Sequence, residues 1–258
     1  MTQTYMDMPD GAVTPGGSVI IHGNDRLGAC RARQTRAETR GQVQAYLAPI
    51  LGDCETVLHE VASDPVHVDV LVFAPQSPGG DWTFVTAGMG DLRMTLPDTR
   101  DPVRDARCEM ALRLPDPWGR QVRSMNASGS EEQDPIFWPI SALKWLARFP
   151  HAAGTYLGEG HTIPMGAPLA EDIAMDCVLL HAPAWRLNPT TPLIRPDGDH
   201  IKFLTFTPLY PEEMAFKQEH GAHALFDAFD DADLGATLDT HRPSTIRKTR
   251  LFQTISGG

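Results

Sequence analysis

The chain has 258 residues, of which 41% are hydrophobic, and a formal net charge of −11. This length suits one large domain or a domain with tails. The negative charge argues against nucleic acid and anionic membranes as partners, and it is compatible with a basic or neutral protein partner. No apolar run approaches the roughly 18 residues of a membrane span, so no membrane association is predicted.

Cysteine usage and the N-terminal sequence both predict a cytoplasmic protein. The four cysteines form no CxxC pair and are interpreted as reduced thiols: Cys30, Cys54, Cys108 and Cys177. The first residues lack the basic start and apolar segment of a secretory signal. Composition also predicts three regions, namely a flexible arm over 1–34, a domain over 35–235 and a C-terminal tail over 236–258.

In chain order, the first half of the domain reads as a helix followed by several strands. A helix is predicted from about Thr35 to Leu51. Strands are predicted over Glu55–Val61, Val66–Phe73, Trp82–Ala87 and Cys108–Leu114, and the short turns between successive strands favour antiparallel pairing. In the last strand, alternation places Cys108 and Met110 inside and Glu109 and Arg113 outside.

The middle of the chain is predicted to contain a long polar loop and an amphipathic helix. Residues 115–134 are expected to form a mobile loop. The helix begins near Trp138 and is expected to end at Pro150. Its spacing of apolar residues predicts a buried face and places Trp145 in the core: Ala142, Trp145, Leu146 and Phe149. A glycine-rich loop over 154–164 follows and carries His161.

The last third reads as two strands followed by two helices. Strands are predicted over Asp176–His181 and His200–Pro208, and the second is apolar on both faces, which is typical of a central strand. A helix is predicted to begin at Pro211, and Gly221 is predicted to separate it from another helix.

Metal-binding and catalytic motifs are sparse. Glu219, His220 and His223 form the best candidate metal cluster, but they lack the HExxH spacing and surface histidines are the favoured interpretation. His67 and Asp69 point to the same side of one strand, so they form either an acid–base pair or a structural hydrogen bond.

Other features of a catalytic site are missing from the sequence. There is no GxSxG, GxGxxG or GxxxxGKS motif. His161 follows a glycine turn, where a catalytic residue can be held, although such a histidine more often braces a loop. A small-molecule or metal-dependent enzyme using His67, Asp69 and His161 is therefore the alternative hypothesis, and no cofactor or bound metal is predicted.

Several segments together resemble the Suppressor of fused family in its bacterial single-domain form. They are HVDVLVFAP at 67–75, DWTFVTAGMGDL at 81–92, CEMALRL at 108–114, WPISALKWLARF at 138–149, GTYLGEGHTIP at 154–164 and IKFLTFTPLYPEEM at 201–214. They occur in the family's order and cover roughly residues 37–233. The resemblance implies an α+β fold, namely one domain with a mixed, largely antiparallel sheet flanked by helices.

The resemblance also implies a non-enzymatic, protein-binding role. In animals the family member inhibits a transcription factor by clamping its peptide, whereas bacterial relatives are considered immunity protein candidates that neutralise toxins. The family's peptide-proximal residues correspond here to Phe84 and Asp91. Trp82, Met89 and His161 are added to the predicted partner-binding set because we expect them near the same turn or on an exposed loop. The identity of the protein partner and the oligomeric state are not predicted.

Overall fold

The computed structural model describes residues 8–22, 37–60, 66–125, 135–184 and 192–246. Its helices are α1 (Ala37–Leu51), α2 (Asp116–Met125), α3 (Trp138–Ala153), α4 (Pro211–His220) and α5 (Ala222–Asp231). Its strands are β1 (Cys54–Leu58), β2 (Asp69–Phe73), β3 (Trp82–Ala87), β4 (Arg107–Leu114), β5 (Thr162–Pro164), β6 (Cys177–His181), β7 (Leu193–Ile194) and β8 (His200–Leu209). Within these ranges, no helix has the length and apolar character that a membrane crossing requires.

The strands form one mixed, mostly antiparallel sheet, which confirms the predicted α+β class. Its order is β1-β2-β3-β4-β8-β6-β5, and β7 pairs with β8 outside this path. Strands β1 to β4 pair antiparallel in sequence order, whereas β4 and β8 run parallel. The prediction that the strand beginning at His200 is central is confirmed, since β8 lies between β4 and β6.

The chain divides into two compact units, each with its own cluster of buried apolar side chains. The first unit comprises Met1–His22, Gly160–Leu180 and Thr207–Gly258, and the second comprises Gly23–Glu159 and His181–Phe206. The core of the first unit contains Cys177, Leu179, Leu209, Met214, Leu225, Ala228, Phe229 and Ile246. The core of the second contains Val43, Leu47, Leu71, Phe73, Val85, Ala87, Ala111, Leu193, Ile201 and Phe203.

Segments from both ends of the chain contact helix α4 within the first unit. The amide of Gly16 donates to the carbonyl of Gln218 over 2.7 Å. Arg242 donates from both terminal nitrogens to the buried carboxylate of Glu213, each over 2.6 Å. Parts of the predicted arm and tail therefore contribute contacts to the folded body, and the limits 35–235 of the domain stay a prediction.

Two details of the predicted α3 helix are wrong. The helix continues through Pro150 to Ala153, and it ends at Gly154, whose φ of 64° is the left-handed conformation that glycine adopts easily. Ala142 and Leu146 of the predicted stripe are buried, together with Pro139, Ile140, Leu143, Ala147 and Pro150. Trp145 is instead 42% exposed, and its ring packs on Phe149 with 5.1 Å between ring centroids.

Part of the predicted loop over 115–134 is helix α2, and the remainder, 126–134, lies outside the described residues. The helix is mostly polar, and only its residues Gly119 and Val122 are buried, so its sequence reads as a polar loop. Gly119 allows a close approach to the β3 residue Trp82, since a Cβ atom at Gly119 would lie 2.4 Å from the Cβ of Trp82. The indole of Trp82 also donates to Oδ1 of Asp116 over 2.9 Å, so α2 is fixed to β3 by both packing and a hydrogen bond.

We predict that adjacent residues of α3 differ sharply in their contribution to stability. Replacing the fully buried Leu146 with alanine is expected to lower the free energy of unfolding by about 2–5 kcal/mol, because it leaves a cavity. Replacing Trp145 with alanine is expected to cost about 1 kcal/mol or less, as at other exposed positions. Urea unfolding of both variants measures the difference, and equal losses would contradict the orientation of the helix.

We also predict that Gly119→Ala destabilises the protein while Gly41→Ala does not. The added methyl at Gly119 overlaps the side chain of Trp82, which is expected to cost about 1–3 kcal/mol. Gly41, in α1, has no atom within 4 Å of a built Cβ, so alanine is expected to be neutral or to stabilise by up to about 1 kcal/mol. Urea unfolding distinguishes the two, and a gain in stability from both variants would refute the α2–β3 contact.

Candidate functional site

Four of the five predicted partner-binding residues lie in β3 or in the turn after it. We call residues Gly88–Asp91 the 88–91 turn. Gly88 has a φ of 130°, a conformation that side-chain-bearing residues rarely adopt, and Met89–Asp91 form a short 3₁₀ helix. Such a turn leaves backbone amides and carbonyls without partners inside the turn, so its conformation depends on groups supplied by other elements.

Glu109 of β4 supplies acceptors to the amides of the turn. Its Oε1 accepts hydrogen bonds from the amides of Gly88 and Gly90, both over 2.9 Å. Its Oε2 accepts the hydroxyl of Thr86 over 2.6 Å. Glu109 is fully buried, so the prediction that it faces outward is wrong. The reason is that this face of β4 meets the polar backbone of the 88–91 turn rather than solvent.

Arg107 of β4 supplies donors to the carbonyls of the same turn. Its Nη1 donates to the carbonyls of Gly90 and Asp91, each over 2.9 Å, and its Nε donates to Asp199 over 2.7 Å. Arg107 and Glu109 are two residues apart and therefore lie on the same face of the strand. We call this pair the β4 clamp, because one member binds the turn's carbonyls and the other binds its amides.

A network of ion pairs surrounds the β4 clamp. Asp199 is 3% exposed and is paired with both Arg107 and Arg93. Burial alone would raise the pKa of Asp199, but the hydrogen bonds and charges of these two arginines outweigh it and hold the pKa below its usual range. Arg195 extends the network, because its Nη1 lies 3.5 Å from Oδ1 of Asp91.

Burial also changes the protonation behaviour of two groups at the turn. Removal from water raises the pKa of Glu109 to about 7, although its hydrogen bonds from Thr86, Gly88 and Gly90 act in the opposite direction. The nearby carboxylate of Asp91 raises it further. Burial lowers the pKa of His151 to about 4, so its imidazole is neutral at physiological pH and donates to the carbonyl of Met89 over 3.2 Å.

The predicted partner-binding residues differ in accessibility. Trp82 is 6% exposed, and Phe84 and Met89 are fully buried, so these three side chains pack inside the free protein. The side chain of Asp91 is 11% exposed, and its Oδ1 accepts the hydroxyl of Thr39 over 2.6 Å. His161 is partly buried and belongs to the first unit, whereas the other four belong to the second.

Sequence reasoning missed the accessible charged groups beside Asp91. Arg93 and Asp197 have side chains that are 50% and 47% exposed. Both belong to the ion-pair network, since Arg93 pairs with Asp199 and Asp197 pairs with Arg195 and Arg107. The Pro-Asp-Gly-Asp sequence at 196–199 is typical of a turn, but no local pattern links it to the 88–91 turn.

The residues of the alternative enzyme hypothesis are only partly brought together. Nε2 of His67 lies 3.1 Å from Oδ1 of Asp69, so the predicted proximity of these two is confirmed. Asp69 is only 1% exposed and pairs with Arg40 over 3.0 Å. Nδ1 of His59 also approaches Asp69, at 3.3 Å. This carboxylate is thus engaged by several neighbours and fits a structural hydrogen-bonded cluster. His161 belongs to the other unit.

The candidate metal ligands around His220 do not form a metal site either. Nε2 of His220 lies 3.8 Å from Glu219, and the imidazole packs on the ring of Phe216. Among the described side chains, no group of three or more His, Cys, Asp or Glu residues has an arrangement that could hold a metal ion.

Comparison with known proteins identifies the family. The sequence matches the family model for Suppressor of fused protein (SUFU) over residues 64–243. This chain belongs to the Suppressor of fused family. The match includes the 88–91 turn, the β4 clamp and Arg242, whereas α1 and β1 precede it. No curated protein matches the chain.

Solved structures of Suppressor of fused proteins share the fold at low sequence identity. A SUFU homologue from Neisseria gonorrhoeae is 18% identical with a TM-score of 0.56, and the match covers 81% of this chain and 98% of that one. The structure of a Sufu–Fu complex is 14% identical with a TM-score of 0.58, covering 86% and 96%. Drosophila Suppressor of Fused is 15% identical with a TM-score of 0.57, covering 84% of this chain and 53% of that one.

We predict a pH-dependent difference in stability between the wild type and Glu109→Gln. The pKa of Glu109 is raised from 4.5 to about 7, so the folded state binds the proton more tightly than the unfolded state does. The resulting stabilisation is fully present below about pH 4.5 and is lost as pH rises through about 7. The free energy of unfolding of the wild type, relative to Glu109→Gln, should therefore fall by an amount on the order of 3 kcal/mol across this range.

Urea unfolding at several pH values measures this difference. The variant is the appropriate reference because glutamine keeps the size of the side chain and an acceptor oxygen but has no titrating carboxyl. A difference between the two proteins that stays constant with pH would contradict the buried position of the carboxyl.

Proposed function

We propose that this chain is a non-enzymatic protein-binding module that binds and restrains another protein. The observation that carries the proposal is the Suppressor of fused match over residues 64–243. Support comes from a relative whose structure was solved as a Sufu–Fu complex, that is, with a protein partner. The net charge of −11 favours a partner with a basic or neutral surface, and it disfavours nucleic acid and anionic membranes.

The finer role we propose is that of a cytoplasmic immunity-type or regulatory inhibitor. Such an inhibitor acts by stoichiometric binding, so it needs a complementary surface rather than a catalytic constellation. Charge complementarity would raise the rate of association with a basic partner, which benefits a protein that must neutralise its target quickly.

We place the centre of the contact at Asp91. Asp91 ends the 88–91 turn, lies two residues before the half-exposed Arg93, and is linked through Arg195 to the accessible Asp197. In this proposal, Trp82, Phe84 and Met89 shape the surface from beneath, because they are buried in the free protein. His161 stays a proposed contact of the first unit, where it is partly buried.

The enzyme alternative receives less support from the geometry. A general base must reach a substrate proton, but Asp69 is 1% exposed and is already ion-paired with Arg40. His67 is engaged with the same carboxylate. The cluster is explained by the need to satisfy a buried charge.

The test is affinity purification from the native host followed by mass spectrometry of co-purifying protein, small molecules and metal. We expect a stoichiometric protein partner, and we expect Asp91→Asn to reduce its recovery by about tenfold or more, because asparagine accepts the Thr39 hydrogen bond but lacks the charge. Asp98→Asn, at an exposed loop position, is the matched control and should retain the partner.

Two outcomes would contradict the proposal in different ways. Full recovery of the partner by Asp91→Asn would refute the location of the contact but not the function. A stoichiometric metal or small molecule without any protein partner, lost on His67→Ala, would favour the enzyme alternative.

A further inference from the structure

The hydroxyl of Thr86, which contacts Glu109, has two acceptors within hydrogen-bond distance. The hydroxyl of Thr86 accepts the amide of Met110 over 2.8 Å and donates to Oε2 of Glu109 over 2.6 Å. The carbonyl of Met110 lies 3.3 Å from the same hydroxyl and is a second possible acceptor. Thr86 can therefore remain hydrogen-bonded whether Glu109 carries a proton or not.

We propose that Glu109 is a proton-dependent anchor of the 88–91 turn, which fixes the turn and positions Asp91 when its carboxyl is ionised and loosens the turn when it is protonated. Glu109 is a positioning residue in this proposal, since it is fully buried and cannot touch a partner. The consequence for partner binding rests on the proposed function, whereas the change in the turn does not.

The chemistry of the two states follows from the contacts. In the ionised state, Oε1 is a charged acceptor for the amides of Gly88 and Gly90. Charge-assisted hydrogen bonds are roughly twice as strong as neutral ones. A proton on Oε2 would point at Thr86, whose hydroxyl would turn to the carbonyl of Met110. Oε1 would then be a neutral carbonyl oxygen, so both turn amides would be held less firmly.

The surroundings of the Glu109 carboxyl favour a change in its protonation near neutral pH. Burial raises the pKa of Glu109 to about 7, and the charge of Asp91 acts in the same direction. From α3, His151 faces the turn as a neutral imidazole and does not compete for the proton in this range. On β4 itself, Arg107 binds the turn's carbonyls, and on β8 the register partner of Glu109 is the uncharged Phe203.

The remaining charged groups around the clamp are compensated within the second unit. Asp199 pairs with Arg93 and Arg107, and Arg195 lies against Asp91. Lys202 of β8 pairs with Asp105 over 3.2 Å. Glu109 is thus a buried carboxyl whose hydrogen-bond partners are amides and a hydroxyl, without a cation in direct contact among the described residues. Because no cation opposes the effect of burial through direct contact, protonation of the carboxyl costs less than it would in an ion pair.

The experiment is an NMR titration of the isotopically labelled full chain from about pH 5.5 to about pH 8.5, a range centred on the raised pKa. The signals followed are the side-chain carboxyl carbon of Glu109 and the amides of Gly88, Gly90 and Asp91. We expect the carboxyl carbon to titrate with a midpoint near 7. The Gly88 and Gly90 amide protons should move upfield with the same midpoint as pH falls, because a charged acceptor deshields them more than a neutral one.

Two variants identify the group that causes the pH dependence of the turn amides. In Glu109→Gln the amide titration should be lost. In His151→Gln, which removes the histidine that contacts the turn, it should persist. If Glu109→Gln does not fold, the carboxyl signal of the wild type and the His151→Gln titration still show whether Glu109 causes the titration of the turn amides.

The proposal is overturned if the Glu109 carboxyl does not titrate in this range, or if the turn amides titrate unchanged in Glu109→Gln. No binding partner is needed, so this result is independent of the purification experiment. If the titration succeeds and a partner is known, the affinity of the wild type should fall severalfold from pH 8 to pH 6, and that of Glu109→Gln should vary less across about this interval. An equal pH dependence of the two affinities would overturn the link to Asp91.

Discussion

The hydrogen bonds between the β4 clamp and the 88–91 turn are the constraint on which the candidate site depends. A tight turn with a positive φ at Gly88 has amides and carbonyls that the turn itself cannot satisfy. Arg107 binds the carbonyls and Glu109 binds the amides, from adjacent same-side positions of one buried strand. The surrounding ion pairs follow from this, because a buried arginine needs a carboxylate, which Asp199 provides.

Local sequence patterns predicted the elements of this region better than its polar contacts. Alternation of apolar residues located β3 correctly and β4 to within one residue, because strands have a period of two. The same alternation placed Glu109 in solvent, since a charged residue in a strand usually marks the wet face. Both faces of β4 are buried, and the partners of Glu109 lie in a turn about twenty residues earlier in the chain. Such a long-range contact leaves no periodic signal.

In helices the error lay in the orientation, because an apolar pattern can indicate a buried face that is rotated by one residue from the true one. In α3, Trp145 shares the predicted stripe with Leu146, yet the buried face follows Ile140, Leu143, Leu146 and Ala147. The tertiary contacts of the helix determine which of two neighbouring faces is buried. These contacts cannot be predicted from the pattern of a single sequence. The family resemblance predicted the α+β fold, which is confirmed, and it placed partner contacts at Phe84 and Asp91, which stay a prediction. It did not predict which of the nearby side chains are accessible in this chain.

We propose that a protein partner contacts the region of Asp91, and hydrogen exchange measured by mass spectrometry tests this proposal without any substitution. The chain would be compared alone and with its captured partner. With the partner bound, we expect slower exchange in peptides covering residues 88–94 and 195–199, where Asp91, Arg93 and Asp197 lie. Unchanged exchange there, with new protection confined to another surface such as that around the exposed Trp145, would refute this proposal.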